Sequence, residues 1–157
     1  MVREMAEIDH VDFQCIREDF CTYEAENGQV LKIKNSVVDI KNKKDDQEQP
    51  SVHIGLRDVS SVITPKPVNT SDYEYMPPEQ VNEKHQIKEL KFKPKREVVN
   101  IYETANSIIL ADTKVRNIFL TNKKDGKGDP ILRYQVDTGI SIIQKGFLSR
   151  QHNAANP

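Results

Sequence analysis

The sequence predicts an all-β fold: an internally duplicated barrel or sandwich made of two five-stranded repeats related by a pseudo-twofold axis. Three observations support this prediction. Two long stretches of the 157-residue chain resemble each other, apolar and polar residues alternate with a period of two, and no stretch has a convincing helical pattern. Because two copies of one unit share a fold, a strand predicted in one copy can be checked in the other.

The internal repeat is clearest between residues 13–27 and 92–106, which align without a gap at an offset of 79 residues. After one extra residue in the second copy the offset becomes 80, and residues 42–50 then align with 122–130. So few insertions over so long a match favour a duplication over chance resemblance between β-rich stretches. The identical positions of the first block are Phe13, Arg17, Glu18, Tyr23, Glu24 and Asn27, which match Phe92, Arg96, Glu97, Tyr102, Glu103 and Asn106.

The alignment divides the chain into four segments. Repeat 1 covers residues 6–64, a proline-containing linker covers 65–84, repeat 2 covers 85–146, and a mobile tail is predicted for 147–157. Proline lacks an amide donor and fixes φ, so we expect the linker to be extended on the surface. A repeat of this size buries little core alone, and we therefore expect both repeats to pack as one domain. Two small five-stranded barrels side by side are the alternative.

The first three strands of repeat 1 are predicted from alternation and turn chemistry. Alternate apolar residues from Val11 to Cys15 indicate a half-buried first strand, and residues 19–25 form the second. Asn27 and Gly28 tolerate positive φ and predict a hairpin turn. A long third strand follows at 30–41. We expect a bulge in the long strands near the one extra residue of the second repeat.

Two shorter strands complete each repeat, at 51–57 and 60–64 in repeat 1. The matching strands of repeat 2 are predicted near 90–95, 98–104, 108–121, 131–137 and 140–144.

The composition indicates a globular protein of modest core, with 36% hydrophobic and 30% charged residues. No apolar run approaches about 18 residues and no signal-like apolar stretch begins the chain, so we expect a cytoplasmic protein with no membrane partner. Cys15 and Cys21 form neither a disulfide framework nor a zinc site, because structural zinc takes four Cys or His ligands. We expect two plain thiols.

The two repeats differ in charge. Residues 6–64 contain seven basic and twelve acidic residues, a net charge of −5, whereas residues 85–145 contain twelve basic and seven acidic residues, a net charge of +5. Three interpretations remain open. The charges can be solvated faces that steer the repeats onto each other, they can join copies head to tail, or the basic repeat can bind a polyanion.

Two groups of basic residues are candidate binding sites. Alternating lysines on a strand can follow a phosphate backbone, but lysines on an edge strand also prevent aggregation. Similar lysine loops in both repeats, with Gly126 and Gly128 in the second, can approach an anion or can be simple turns. The first group is Lys91, Lys93, Lys95 and Arg96, and the second is Lys43, Lys44, Lys123 and Lys124.

No motif in the chain indicates a reaction. The four histidines do not occupy corresponding positions, and His10 with Asp9 and Asp12, three residues close together on one strand, cannot all face one metal ion. We therefore expect no catalytic residue, no metal and no cofactor, and favour a protein that is not an enzyme.

The sequence favours a non-enzymatic protein-binding or self-assembly module, whose partner is itself or another protein. The alternative is a nucleic-acid-binding β-barrel that uses the basic second repeat. A third hypothesis is a small-molecule site or enzyme in the groove between repeats, which predicts that polar residues differing between the copies, such as His53 and Arg133, converge on one cavity.

Overall fold

The computed structural model describes residues 8–44 and 50–146, which form two β-sheets. The all-β prediction is confirmed. Two 3-10 helices, Pro78–Gln80 and Glu83–His85, interrupt the segment between the long strands, and no helix of the described residues is long and apolar enough to cross a membrane. The strands are β1 (Ile8–His10), β2 (Phe13–Arg17), β3 (Cys21–Ala25), β4 (Val30–Lys44), β5 (Pro50–Ile63), β6 (Glu74–Tyr75), β7 (Gln86–Leu90), β8 (Phe92–Arg96), β9 (Val99–Thr104), β10 (Ser107–Lys124) and β11 (Pro130–Gln144).

Each sheet is organised around one long strand. In the first sheet, β4 pairs along its length with β5 on one side and with β3 and β1 on the other, and β8 extends the sheet beyond β3. In the second sheet, β10 pairs with β11 on one side and with β9, β7 and β6 on the other, and β2 extends the sheet beyond β9. All pairs are antiparallel except the short β6–β10 pair.

The two halves of the chain exchange a strand. The early strand β2 joins the second sheet, where Phe13 pairs with Thr104 of β9. The later strand β8 joins the first sheet, where Phe92 pairs with Ala25 of β3. Phe92 follows Phe13 by 79 residues and Thr104 follows Ala25 by the same 79, so the two exchanged strands have the same register.

Two buried tyrosines make the same contacts in the two halves. The Tyr23 hydroxyl accepts a hydrogen bond from the backbone amide of Val115 at 3.3 Å, and the Tyr102 hydroxyl accepts one from Val37 at 3.3 Å. Each bond joins the two sheets. The rings also make matching edge contacts, Tyr23 with Phe92 and Tyr102 with Phe13, at centroid distances of 5.8 and 6.1 Å.

The turns between β2 and β3, and between β8 and β9, are also held by matching contacts. Asn100 accepts from the Asp19 amide at 2.9 Å and donates to the Asp19 carbonyl at 3.2 Å. At the corresponding positions, the Cys21 thiol accepts from the Val98 amide at 3.4 Å and lies 3.5 Å from the Val98 carbonyl. The amide side chain of Asn100 and the thiol of Cys21 therefore hold the two equivalent turns through the same pair of backbone contacts.

The long strands contain the expected bulges. The β4–β5 register shifts between Val37 and Asp39, and the β10–β11 register shifts between Val115 and Asn117. The prediction of two short strands after each lysine loop was wrong, because β5 and β11 each run unbroken for 14 and 15 residues. Continuous pairing with a long neighbour carries each strand through the polar residues and the glycine that suggested a break.

The core consists of two clusters that each combine residues from both sheets. The first contains Tyr23, Leu31 and Ile33 with Val115 and Ile118, and the second contains Val37, Ile40, Tyr102, Ile109 and Ala111. The sheets do not close into a barrel, so the barrel alternative was wrong. Since β5 and β11 pair on one side only among the described residues, each remains an edge strand.

A buried amide separates the two clusters on β4. Asn35 is 1% exposed and donates to Thr113 at 3.0 Å and Thr138 at 2.5 Å, both in the opposite sheet. Its carbonyl oxygen has no hydrogen-bond partner among the described residues. A polar group in this position favours one alignment of the sheets, because a shifted alignment would leave more of it unsatisfied.

Candidate interaction surfaces

The basic strip of the second half lies along the exposed strand β8. Lys91 immediately precedes β8, and Lys93, Lys95 and Arg96 belong to it; all four are exposed. Strand exchange places β8 beside β3, close to the acidic residues Asp19, Glu24 and Glu26. The structure therefore brings the predicted basic residues to carboxylates of the first half.

Three ion pairs connect this strip and its surroundings to the first half. Lys95 Nζ lies 2.9 Å from Glu24 Oε2, and the hydrogen bond from Lys95 lowers the pKa of the Glu24 carboxyl. Arg96 lies 2.5 Å from Asp19, and Lys88 lies 3.3 Å from Glu26. Part of the opposite charge of the halves is therefore paired inside one molecule, although solvent and salt screen exposed pairs of this kind.

Reversing one of these pairs tests whether the charges act inside the chain. We expect Lys95→Glu to lower the free energy of unfolding slightly, because it places two carboxylates together. The double variant Lys95→Glu with Glu24→Lys is expected to recover most of the loss. Denaturant unfolding of the three proteins measures both changes, and an unimproved double variant would contradict the pairing.

The lysine loop of the second half holds the segment between the halves. Lys123 Nζ lies 3.0 Å from the Glu74 carboxylate and its side chain is 12% exposed, and Lys124 Nζ donates to the Thr70 carbonyl at 3.4 Å. The Thr70 hydroxyl donates to the Gly128 carbonyl at 2.6 Å. These contacts anchor part of the predicted linker on the second sheet.

The glycine-containing turn of this loop uses its own amides. The Asp125 carboxylate accepts from the amides of Lys127 at 2.9 Å and Asp129 at 3.0 Å, and Gly128 adopts a φ of +83°. Amides occupied in this way are not aimed at an anion, so the geometry supports the turn interpretation.

In the first half, Lys43 and Lys44 end β4 in the other sheet. The Lys43 carbonyl accepts from Ser51, and the backbone of Lys44 pairs with Pro50. The remainder of this loop and the predicted tail lie outside the described residues.

The edge strands β5 and β11 expose apolar side chains that face the core side of their sheets. In β5, Leu56 pairs with buried Val37 and Val62 pairs with buried Leu31, yet Leu56 is 38% and Val62 39% exposed. In β11, Ile142 pairs with buried Ile109 and is 38% exposed. These residues lie on the correct face for burial, and the structure leaves them uncovered.

The two edges run along the same side of the molecule. The Tyr134 hydroxyl of β11 donates to the Ser60 hydroxyl of β5 at 2.5 Å. Further along, Ile54 and Ile140 pack against the same core cluster. From the first contact to the second, residue numbers fall along β5 and rise along β11. The two edge strands therefore run antiparallel to each other along one open side of the molecule.

A cavity of about 490 Å³ lies at one end of this open side. Arg133 lines it and His53 does not, so this pair does not converge there as the third hypothesis predicts. Two of its polar side chains are already hydrogen-bonded: Arg133 donates to Gln86, and Gln29 donates to Thr64 and to the Pro130 carbonyl.

The remaining chemistry-bearing side chains are separate. Cys15 is exposed and Cys21 buried, both are free thiols, and burial raises the pKa of each. His10 Nδ1 lies 3.2 Å from Asp39 Oδ1. Within residues 8–44 and 50–146, no group of three or more His, Cys, Asp or Glu side chains could hold a metal ion.

Comparison of the chain with protein-family models, with curated proteins and with solved structures gives no significant match.

Proposed function

We propose that this chain is a duplicated β-module whose function is binding other protein chains, including copies of itself, by adding strands to the edges β5 and β11. The proposed duplication rests on the sequence alignment together with the matched strand registers and the matched tyrosine contacts. Neither the cavity nor the ionisable groups supply a comparable case for catalysis.

The open edges are the observation that carries this proposal. An edge strand presents unpaired backbone donors and acceptors, and natural proteins usually protect it with charge, proline or brevity. Here β5 has 14 residues with Arg57 and Asp58 as its only Lys, Arg, Asp or Glu residues, and β11 has 15 with Arg133 and Asp137. Both strands also expose apolar side chains on their core-facing sides, and an added strand would remove this apolar surface from water.

Nucleic-acid binding is less well supported by the geometry. The basic strip is interleaved with Glu24 and Asp19 through the ion pairs of β8, and these carboxylates would repel a phosphate backbone. Phe92, the aromatic residue within the strip, packs against Tyr23 and is partly buried, so its ring is not a free stacking platform.

The substitution Leu56→Lys is expected to prevent self-association. It places a charge on the core-facing side of β5, in a position that strand addition would bury, and should weaken association at least about tenfold. Light scattering over a concentration series measures this, first at low and then at high salt. We expect association of the unaltered chain to persist at high salt, because backbone hydrogen bonds and apolar contacts are screened little.

Val99→Lys is the matched control. Val99 is 40% exposed, close to the 38% of Leu56, but it belongs to the interior strand β9. This variant should associate like the unaltered chain. An unaltered chain that stays monomeric at the highest concentration, or equal loss of association in both variants, would refute the proposed function.

A further inference from the structure

Resting on the proposed function, we propose a specific partner and geometry: a second copy of this chain, related by a twofold axis parallel to the edge strands. In this dimer, β5 of each copy pairs antiparallel with β11 of the other. The first sheet of one copy then continues into the second sheet of its neighbour, on both sides of the axis. The edges β5 and β11 are both used, and their pairing closes at two copies.

The alignment of the edges within one chain sets the register of this dimer. Ser60 lies beside Tyr134, and β5 and β11 run antiparallel along the same open side. Rotation about an axis parallel to the strands does not shift residues along the strand direction. Ser60 of one copy therefore lies opposite Tyr134 of the other, and counting in opposite directions along the strands places Arg57 opposite Asp137 and Val52 opposite Ile142.

One pair of oppositely charged side chains meets in this register. Arg57 is exposed and makes no ion pair among the described residues, whereas Asp137 is 66% exposed and has only a 3.7 Å contact with Arg116. Both lie on the outer face, because their neighbours Leu56 and Val136 pair with Val37 and Val115 on the core side.

On the core side, this register places apolar residues that are exposed in the single chain opposite each other. Val52 is 45% exposed and Ile142 38% exposed, and each would cover the other. Opposite charges and apolar pairs directly across antiparallel strands are both stabilising.

Pairing β5 with β5 of the second copy is unfavourable in the registers centred on its charged residues. An antiparallel symmetric pair places one residue opposite itself, and in the registers centred on the charged residues this is Arg57 or Asp58. Like charges directly opposite each other destabilise a strand pair. The β5–β11 arrangement replaces this repulsion with two Arg57–Asp137 contacts per dimer.

Disulfide cross-linking tests the geometry in a Cys15→Ser background, since Cys15 is exposed. The double variant Arg57→Cys with Asp137→Cys is expected to give a covalent dimer under mild oxidation, because directly opposed residues come within disulfide reach. Each single variant should remain non-covalent. Cross-linking of Arg57→Cys alone, or a link formed only within one chain by the double variant, would overturn the β5–β11 register.

A charge exchange provides a second measurement. Arg57→Asp places like charges at both contacts and should weaken the dimer about thirtyfold, and Arg57→Asp with Asp137→Arg should restore it. Failure of this rescue, with Leu56→Lys still preventing association, would reject this dimer and leave the proposed function standing. A monomeric unaltered chain would instead reject both.

Discussion

Replacing Tyr102 with alanine is expected to lower the free energy of unfolding by about 3–5 kcal/mol. Tyr102 is completely buried, its ring contacts Phe13, and its hydroxyl accepts a hydrogen bond from the Val37 amide at 3.3 Å. The substitution leaves both a cavity between the sheets and a buried amide without its partner. Because single domains are stable by only about 5–15 kcal/mol, denaturant unfolding should detect a variant close to unfolding.

Tyr102→Phe separates the two contributions. It keeps the ring and removes the hydrogen bond, so the expected loss is about 1–2 kcal/mol. Tyr23→Phe should cost a similar amount, since Tyr23 makes the same bond to Val115. Markedly unequal losses for the two phenylalanine variants would argue against equivalent roles, and a loss below about 1 kcal/mol for Tyr102→Ala would contradict its place in the core.

Alkaline unfolding is the second large expected effect. Burial, with the nearby Glu18 carboxylate, raises the pKa of Tyr102 from 10.0 to about 12, and burial raises the pKa of Tyr23 in the same direction. Because the unfolded chain loses these protons first, the stabilisation is complete below pH 10 and is lost as the pH rises through the folded-state pKa. For Tyr102, the rise in pKa from 10.0 to about 12 corresponds to about 3 kcal/mol of stability that is lost between about pH 10 and 12.

Tyr102→Phe is also the control for the alkaline effect. Any other group that ionises at alkaline pH contributes equally to both proteins. The dependence of unfolding free energy on pH between about 10 and 12 should therefore be shallower in the variant, by the part that Tyr102 supplies. Denaturant unfolding at several pH values, with tyrosinate absorbance as a second signal, measures the difference. Identical pH dependence in both proteins would contradict the raised pKa.

Local chemistry made several elements predictable. The turn around Asn27 and Gly28 joins β3 to β4, and Gly28 has the positive φ of +90° that such a turn favours. Alternation from Val11 to Cys15 marked the region of β2, and the bulged long strand was expected from the shift in alignment. These features depend on residues that are near one another in the sequence.

Features that depend on distant residues were not predictable. Nothing local in β2 shows that Phe13 pairs with Thr104, because backbone pairing leaves no residue signature across so long a separation. For the same reason, the partners of Lys95 and Lys123 could not be read from the lysines themselves. The edge strands left one usable signal, which is the scarcity of charge in β5 and β11.

Strand exchange also fixes an order of events during synthesis. As the chain emerges, β3 and β4 can form their hairpin at once, but β2 has no partner in the sheet until β9 has been made. At about 5–20 residues per second, the interval between residues 17 and 104 lasts roughly 4–17 seconds. During that time β2 lacks its partner strand, and the first sheet stays incomplete until β8 has been made.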